Sequence, residues 1–148
     1  MRVAISGSRG PDPSRGRSIG WTDYGIIAQT VERLLRQGHT INVGDAPSGV
    51  DFMVTMAHNT EPWADEFPSD SLKVYEARWN IEGKRAGHNR NAWMIRESDM
   101  LIAFYAPTLP LTPGTTDAIE CAKKKGIPIH VYFKPAGGWA TIYREHTD

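Results

Sequence analysis

Five short apolar runs, each separated from the next by a stretch with helical periodicity, constrain this chain more than any other feature. The runs are RVAIS (2–6), TINVG (40–44), LKVYEA (72–77), MLIAFYA (100–106) and IPIHVYF (127–133). Between the first two, DYGIIAQTVERLLRQ (23–37) places Tyr24, Ile27, Val31, Leu34 and Leu35 on one helical face. Asp23 is positioned to cap its start and Gly38 to close its end. GVDFMVTMAHN (49–59) reads as a short helix with Phe52, Met56 and Ala57 inward, and GHNRNAWMIRES (87–98) reads as another. TTDAIECAKKK (115–125) reads as a last helix, stopped by Gly126. This alternation predicts an α/β, Rossmann-like fold: an open, mostly parallel five-stranded sheet with helices on both faces.

Two stretches stand outside the pattern. NTEPWADEFPSDS (59–71) is acidic, contains Pro and has no period, which predicts a surface loop. KPAGGWATIYREHTD (134–148) reads as a tail whose Trp139, Ile142 and Tyr143 dock on the domain of residues 1–133 or on a partner subunit.

Composition removes several classes of function. Seventeen acidic and seventeen basic residues leave no net charge, so no global field draws the chain to nucleic acid. The single cysteine, Cys121, has no intramolecular disulfide partner, which suits a reducing compartment. No apolar run approaches the ~20 residues that span a bilayer. The run at the N-terminus is too short for a signal peptide. The expectation is a cytoplasmic protein with no membrane partner. The five histidines show no metal-ligand spacing and no second cysteine accompanies Cys121, so neither a metal nor a cofactor is expected.

In an open α/β sheet, ligands bind beyond the carboxyl ends of the strands. Four segments leave those ends: SGSRG (6–10), VGDAPSGVD (43–51), ARWNIEGKRAGHNRN (77–91) and PGTTD (113–117). Their Gly and hydroxyl residues (Gly7, Ser8, Gly44, Gly49, Gly114, Thr115 and Thr116) allow a close backbone approach to an anion at a helix N-terminus. Arg9 joins the first of these turns. Arg90, beside Asn91 near a helix start, suits phosphate or carboxylate recognition, or else belongs to a solvated basic face with Lys84, Arg85 and Arg96. Trp79 reads first as a core residue and otherwise as a platform for a planar base. Asp45 and Asp51 are candidates for ribose hydroxyls, with helix capping the simpler role for Asp51.

The order and spacing of SGSRG, VGDAPSGVD, AGHNRNAWMIRESDMLIAF and PGTTDAIECAKKKGIPI resemble the SLOG superfamily. That group joins the Smf/DprA DNA-processing proteins to the Lonely Guy phosphoribohydrolases, and the segment WNIEGKRAGHNRNAWM looks most like its small YspA/YpsA-related branch. Arg90, Met94, Ser98 and Asp99 match the Lonely Guy arginine, methionine and "SD" pattern, so Arg90 resembles the phosphate-facing catalytic arginine. Gly114 and Thr115 match the Gly-Thr pair of the phosphate loop.

The chain departs from the pattern at the glutamate that assists cleavage of the N-glycosidic bond. Ala118 stands in its place, with Asp117 one residue earlier and Glu120 two later. The upstream double Gly is replaced by Leu-Thr-Pro. The resemblance therefore implies a homo-oligomer that binds a nucleoside phosphate or an ADP-ribose-type signal, as a sensor or sequestering protein in nucleotide-signalled immunity. Asp117, in the first turn of its helix, would orient a ligand hydroxyl. The alternative is a phosphoribohydrolase acting on nucleoside monophosphates, with Arg90 and Asp117 as its working pair.

Overall fold

The computed structural model describes residues 1–10, 19–105, 113–133 and 140–145; Tyr105, 113–114, 133 and 140–145 are described by backbone alone. All five expected strands are present: β1 (Arg2–Gly7), β2 (Thr40–Gly44), β3 (Leu72–Tyr75), β4 (Met100–Tyr105) and β5 (Ile129–Phe133). They pair in parallel in the order β3-β2-β1-β4-β5. A sixth strand, β6 (Ala140–Glu145), pairs antiparallel with β5 and shifts register between Val131 and Tyr132. It forms from part of the segment read as a tail; Trp139 lies outside the described residues.

The helices are α1 (Tyr24–Arg36), α2 (Val50–Thr60), α3 (Trp79–Glu82), α4 (Ala86–Arg96) and α5 (Pro113–Lys125). Alternation along the strands sends their apolar side chains into two cores. On one face, Val3, Ile5, Ile41, Val43, Ile102 and Phe104 meet Ile27, Val31, Leu34 and Leu35 of α1 and Val50, Met53 and Val54 of α2. On the other, Ala4, Tyr75, Leu101, Ala103, Ile129 and Val131 meet Met94 and Ile95 of α4 and Ala118 and Ala122 of α5. Burial on both faces is why the strands read as continuous apolar runs.

Two local readings are corrected. Phe52 is 37% exposed, and α2 turns Met53 and Val54 inward instead, because the helix packs through the face that also carries Val50. Segment 59–71 forms two 3-10 turns, Pro62–Glu66 and Ser69–Ser71. Trp63 and Phe67 pack against the first core, and Ser71 is buried with its Oγ 2.7 Å from His58 Nε2. Its two aromatic anchors hold this segment without any helical or strand period.

The motif residues Ser98 and Asp99 serve the frame. Ser98 Oγ donates to the Met94 carbonyl at 2.7 Å and accepts from Asn42 Nδ2 at 2.9 Å. The Asp99 carboxylate accepts the Arg2 N–H at 2.8 Å and so fixes the start of β4 against β1. Lys125 Nζ donates to the carbonyls of Ile95, Arg96 and Ser98, which ties the end of α5 to the end of α4. Together these contacts set the angle at which the α4 and α5 N-termini meet the opposite, carboxyl edge of the sheet.

Candidate functional site

After β1 the chain turns to one side of the sheet for β2 and β3, and β4 lies on the other side of β1. This reversal opens a crevice at the carboxyl ends of β1 and β4. The loops leaving β1 and β2 interlock there. The Ser8 N–H donates to the Phe104 carbonyl at 3.0 Å and the Val50 N–H to the Ser8 carbonyl at 3.1 Å. The Gly10 N–H donates to Ser48 Oγ at 3.1 Å. Gly49, the residue before α2, has φ +77°, and a Cβ on it would stand 2.3 Å from the Ser8 carbonyl oxygen. Gly7 is equally confined, with a Cβ 2.2 Å from the Phe104 carbonyl oxygen. These two glycines let three backbone segments converge.

Arg90 is 9% exposed, which corrects the solvated-face reading. Its Nη1 donates to Asp45 Oδ1 at 2.7 Å and its Nε to Asn91 Oδ1 at 2.9 Å. Among the described residues, Nη2 makes no hydrogen bond. The guanidinium passes directly over Gly44, where a Cβ would lie 2.6 Å from Nη1 and 2.7 Å from Asp51 Oδ2. The absence of a side chain at Gly44 is thus what lets Arg90 reach the β2 edge. Asp45 also accepts the Ala77 N–H at 3.3 Å, bridging the loops after β2 and β3.

Asp51 does not cap α2 in the usual way. Gly49 occupies the cap position, and the Asp51 carboxylate turns back to accept the Ala46 N–H at 3.2 Å. Burial pushes its carboxyl up to about 6, against the opposing pull of Arg90 and the Ala46 N–H. Arg9, half-buried, adds a smaller pull in the same direction as Arg90.

The second half of the site joins α4 to α5. Asn91 Nδ2 donates to Asp117 Oδ2 at 3.0 Å, and His88 Nδ1 lies 2.6 Å from Asp117 Oδ1. The helix α5 starts at Pro113, two residues earlier than the sequence suggests, since Pro suits a first helical position. Gly114, Thr115 and Thr116 therefore form its first turn and Asp117 lies beyond it, a correction to the first-turn placement. Thr115 is buried, Glu120 is exposed, and Ala118 is fully enclosed in the second core.

Trp79 is not a core residue. It opens the short α3 and is 52% exposed, with the edge of its indole against Gly87 at the start of α4. Beside it, a groove of about 410 Å³ is lined by Glu76, Arg78, Glu82, Asn89, Arg90, Trp93 and Arg96 among others. The segment after β3 and one face of α4 together assemble an aromatic and basic stripe, mixed with two acids. Sequence reading gave His88, Glu97 and Cys121 no place in the site. His88 stands two residues from Arg90 and was legible as its neighbour. Glu97 is the hub of a polar cluster: it accepts from Lys73 at 2.8 Å, from the Tyr75 hydroxyl and from Trp93 Nε1 at 3.1 Å, and these donors hold its carboxyl down at about 2. Spacing alone argued against a metal site, yet His88, Asp117 and Cys121 gather in space. Burial, followed by the Asp117 charge, pushes the Cys121 thiol up.

No family model and no curated protein matches this chain. Solved structures do. A DNA processing protein A from Helicobacter pylori, described for its single-stranded DNA binding mode, matches with TM-score 0.62 and 20% identity. That match covers 93% of this chain and 67% of the other. The Moco carrier protein of Chlamydomonas rheinhardtii matches with TM-score 0.55 and 17% identity, over 88% of this chain and 74% of the other. At such identities the likeness establishes the Rossmann-like fold.

Proposed function

We propose that the protein binds a nucleotide-derived ligand, a nucleoside phosphate or an ADP-ribose-type molecule, without cleaving it. The observation that carries this reading is Arg90: a buried guanidinium, oriented by Asp45 and Asn91, at the carboxyl edge of the sheet. Such a cation, pre-set by two partners, suits a phosphate oxygen. The first turn of α5 brings the positive end of a helix to the same edge. Exposed Trp79 offers a face for a base.

Binding is favoured over hydrolysis by the state of the acids. The position of the Lonely Guy glutamate is Ala118, enclosed in the core. Asp117, its nearest substitute, has both oxygens engaged by His88 and Asn91. A general acid must come within hydrogen-bond reach of the reacting centre with a proton to give. The test is incubation with nucleoside monophosphates and ADP-ribose, read by calorimetry and by chromatography of the denatured mixture. The expected result is a binding isotherm and recovery of intact ligand. Free base released over many turnovers, and abolished in Asp117→Asn, would establish the phosphoribohydrolase instead.

A second reading has its own observation. Arg78, Arg96 and Trp93 line one groove with Arg90, and the Arg78 guanidinium sits 6.0 Å from the Trp93 ring centroid. Basic grooves with aromatic platforms hold single-stranded nucleic acid, and the Helicobacter pylori neighbour is described for that property. Glu76 and Glu82 in the same groove count against it. A gel shift with single-stranded DNA that disappears in the double substitution Arg78→Ala, Arg96→Ala would move the assignment to this groove.

The proposed assembly is a homo-oligomer, at least a dimer. Its support is an exposed aromatic cluster on the α1–α2 face, where Trp21 packs against Tyr24 and Phe52 with ring centroids 5.8 and 6.0 Å apart. A role as sensor or sequestering protein follows from the same reading.

A further inference from the structure

Asp117 and Cys121 stand four residues apart on α5 and so share one helical face. His88, from the first turn of the neighbouring helix α4, reaches the same point. A ring nitrogen of His88, a carboxylate oxygen of Asp117 and Cys121 Sγ all lie within 4.8 Å of one another. We propose that these three side chains form a binding site for a divalent transition-metal ion of the zinc class, at the rim of the crevice.

The donor set is the first reason. One imidazole, one carboxylate and one thiolate are the nitrogen, oxygen and sulfur ligands that zinc accepts, and hard cations such as magnesium avoid the sulfur. Charge is the second. A divalent ion with a carboxylate, a thiolate and a neutral imidazole leaves no net charge in a half-covered place. The third is support from a further residue. Asn91 Nδ2 holds the other oxygen of Asp117 at 3.0 Å, which turns Oδ1 toward His88. Metal-ligating carboxylates are commonly steadied by outer hydrogen bonds of this kind. In the apo arrangement His88 Nδ1 and Asp117 Oδ1 are bonded to each other at 2.6 Å. Metal entry exchanges that hydrogen bond for two metal bonds: the proton between Nδ1 and Oδ1 is given up to solvent, and the imidazole binds neutral with its one proton on Nε2. The thiol proton leaves Cys121 for solvent as the metal–sulfur bond forms, and no electron is transferred. Three protein ligands leave one tetrahedral position open.

This assignment does not rest on the nucleotide reading, and its test uses metal alone. The reduced native chain is titrated with Co²⁺, and the thiolate-to-cobalt charge-transfer absorption is followed; Zn²⁺ is then added as competitor. The expected result is one cobalt per chain with a sulfur band that zinc displaces. Cys121→Ser should abolish the band. His88→Ala should weaken binding by at least the ~10–100-fold that loss of even an outer supporting group costs. His88 is exposed, so its substitution leaves the fold intact and decides the question even if Cys121→Ser misfolds. No band, or a band that persists at unchanged affinity in His88→Ala or in folded Cys121→Ser, overturns the site.

Discussion

Arg90 and Gly44 depend on each other. A methyl group at position 44 would collide with the tip of Arg90 and with the Asp51 carboxylate, both ends of side chains that are able to swing aside. Gly44→Ala should therefore spare most of the stability and displace the guanidinium, so that calorimetry with the same ligands shows weak or no binding. Arg90→Ala should cost ~2–5 kcal/mol of affinity, as loss of an oriented charge contact does. Arg90→Lys should not restore it, since one ammonium cannot satisfy Asp45 and Asn91 and still present a donor. Unchanged affinity in Arg90→Ala would remove the residue from the site. Asp51 gives a pH signature. Its carboxyl is raised in the folded chain from 3.8 to about 6, so the native state holds a proton that the unfolded state has lost. That contribution to stability is fully present below pH ~4 and lost as the pH rises through about 6, at most ~3 kcal/mol. Thermal melts between these limits should show a loss of stability with rising pH that is flatter in Asp51→Asn. Glu97 runs the other way, present above its ordinary range and lost toward pH 2, so it does not blur the comparison.

At the scale of elements, the turn into α2 governs whether the crevice exists. Gly49 combines a positive φ with backbone atoms of Ser8 and Arg9 within 2.5 Å of any added Cβ. Neither obstacle is a side chain that can rotate away. Gly49→Ala should destabilise the chain by more than ~2 kcal/mol, well beyond the effect of Gly44→Ala, because strain and overlap add. Chemical denaturation of the two variants side by side checks the order. Equal losses would mean that the β1 and α2 turns yield more easily than their packing indicates.

For the whole molecule, the sixth strand covers β5 and itself forms one edge of the sheet. β5 is paired with β4 on one side and β6 on the other. A chain ending at Phe133 would leave the β5 backbone open, and open edges recruit further strands. Such a truncation should lower the melting temperature and promote aggregation, which light scattering would register. The same instrument tests the proposed assembly: the intact chain should scatter as a dimer or larger. A monomer at high concentration would leave the Trp21–Phe52 cluster to some other role.

The strand runs and their intervening helices were legible in the sequence because each element's apolar pattern is local: Val3 and Ile5 face one way, Ala4 the other, and α1 repeats every turn. The glycines and Arg90 were legible as candidates because their chemistry is unusual wherever it occurs. What the sequence could not show depends on pairs far apart in the chain. Asp45 meets Arg90 across 45 residues, Asp117 meets His88 across 29, and both contacts exist only because parallel strands deliver their loops to one edge. The exposure of Trp79 was hidden for the same reason, since a tryptophan reads alike in a core and on a rim. Whether Asp117 is an acid at work or an acid already engaged was decided by the angle between α4 and α5, and that angle is set at the far end of the helices by Lys125, Ser98 and Asn42.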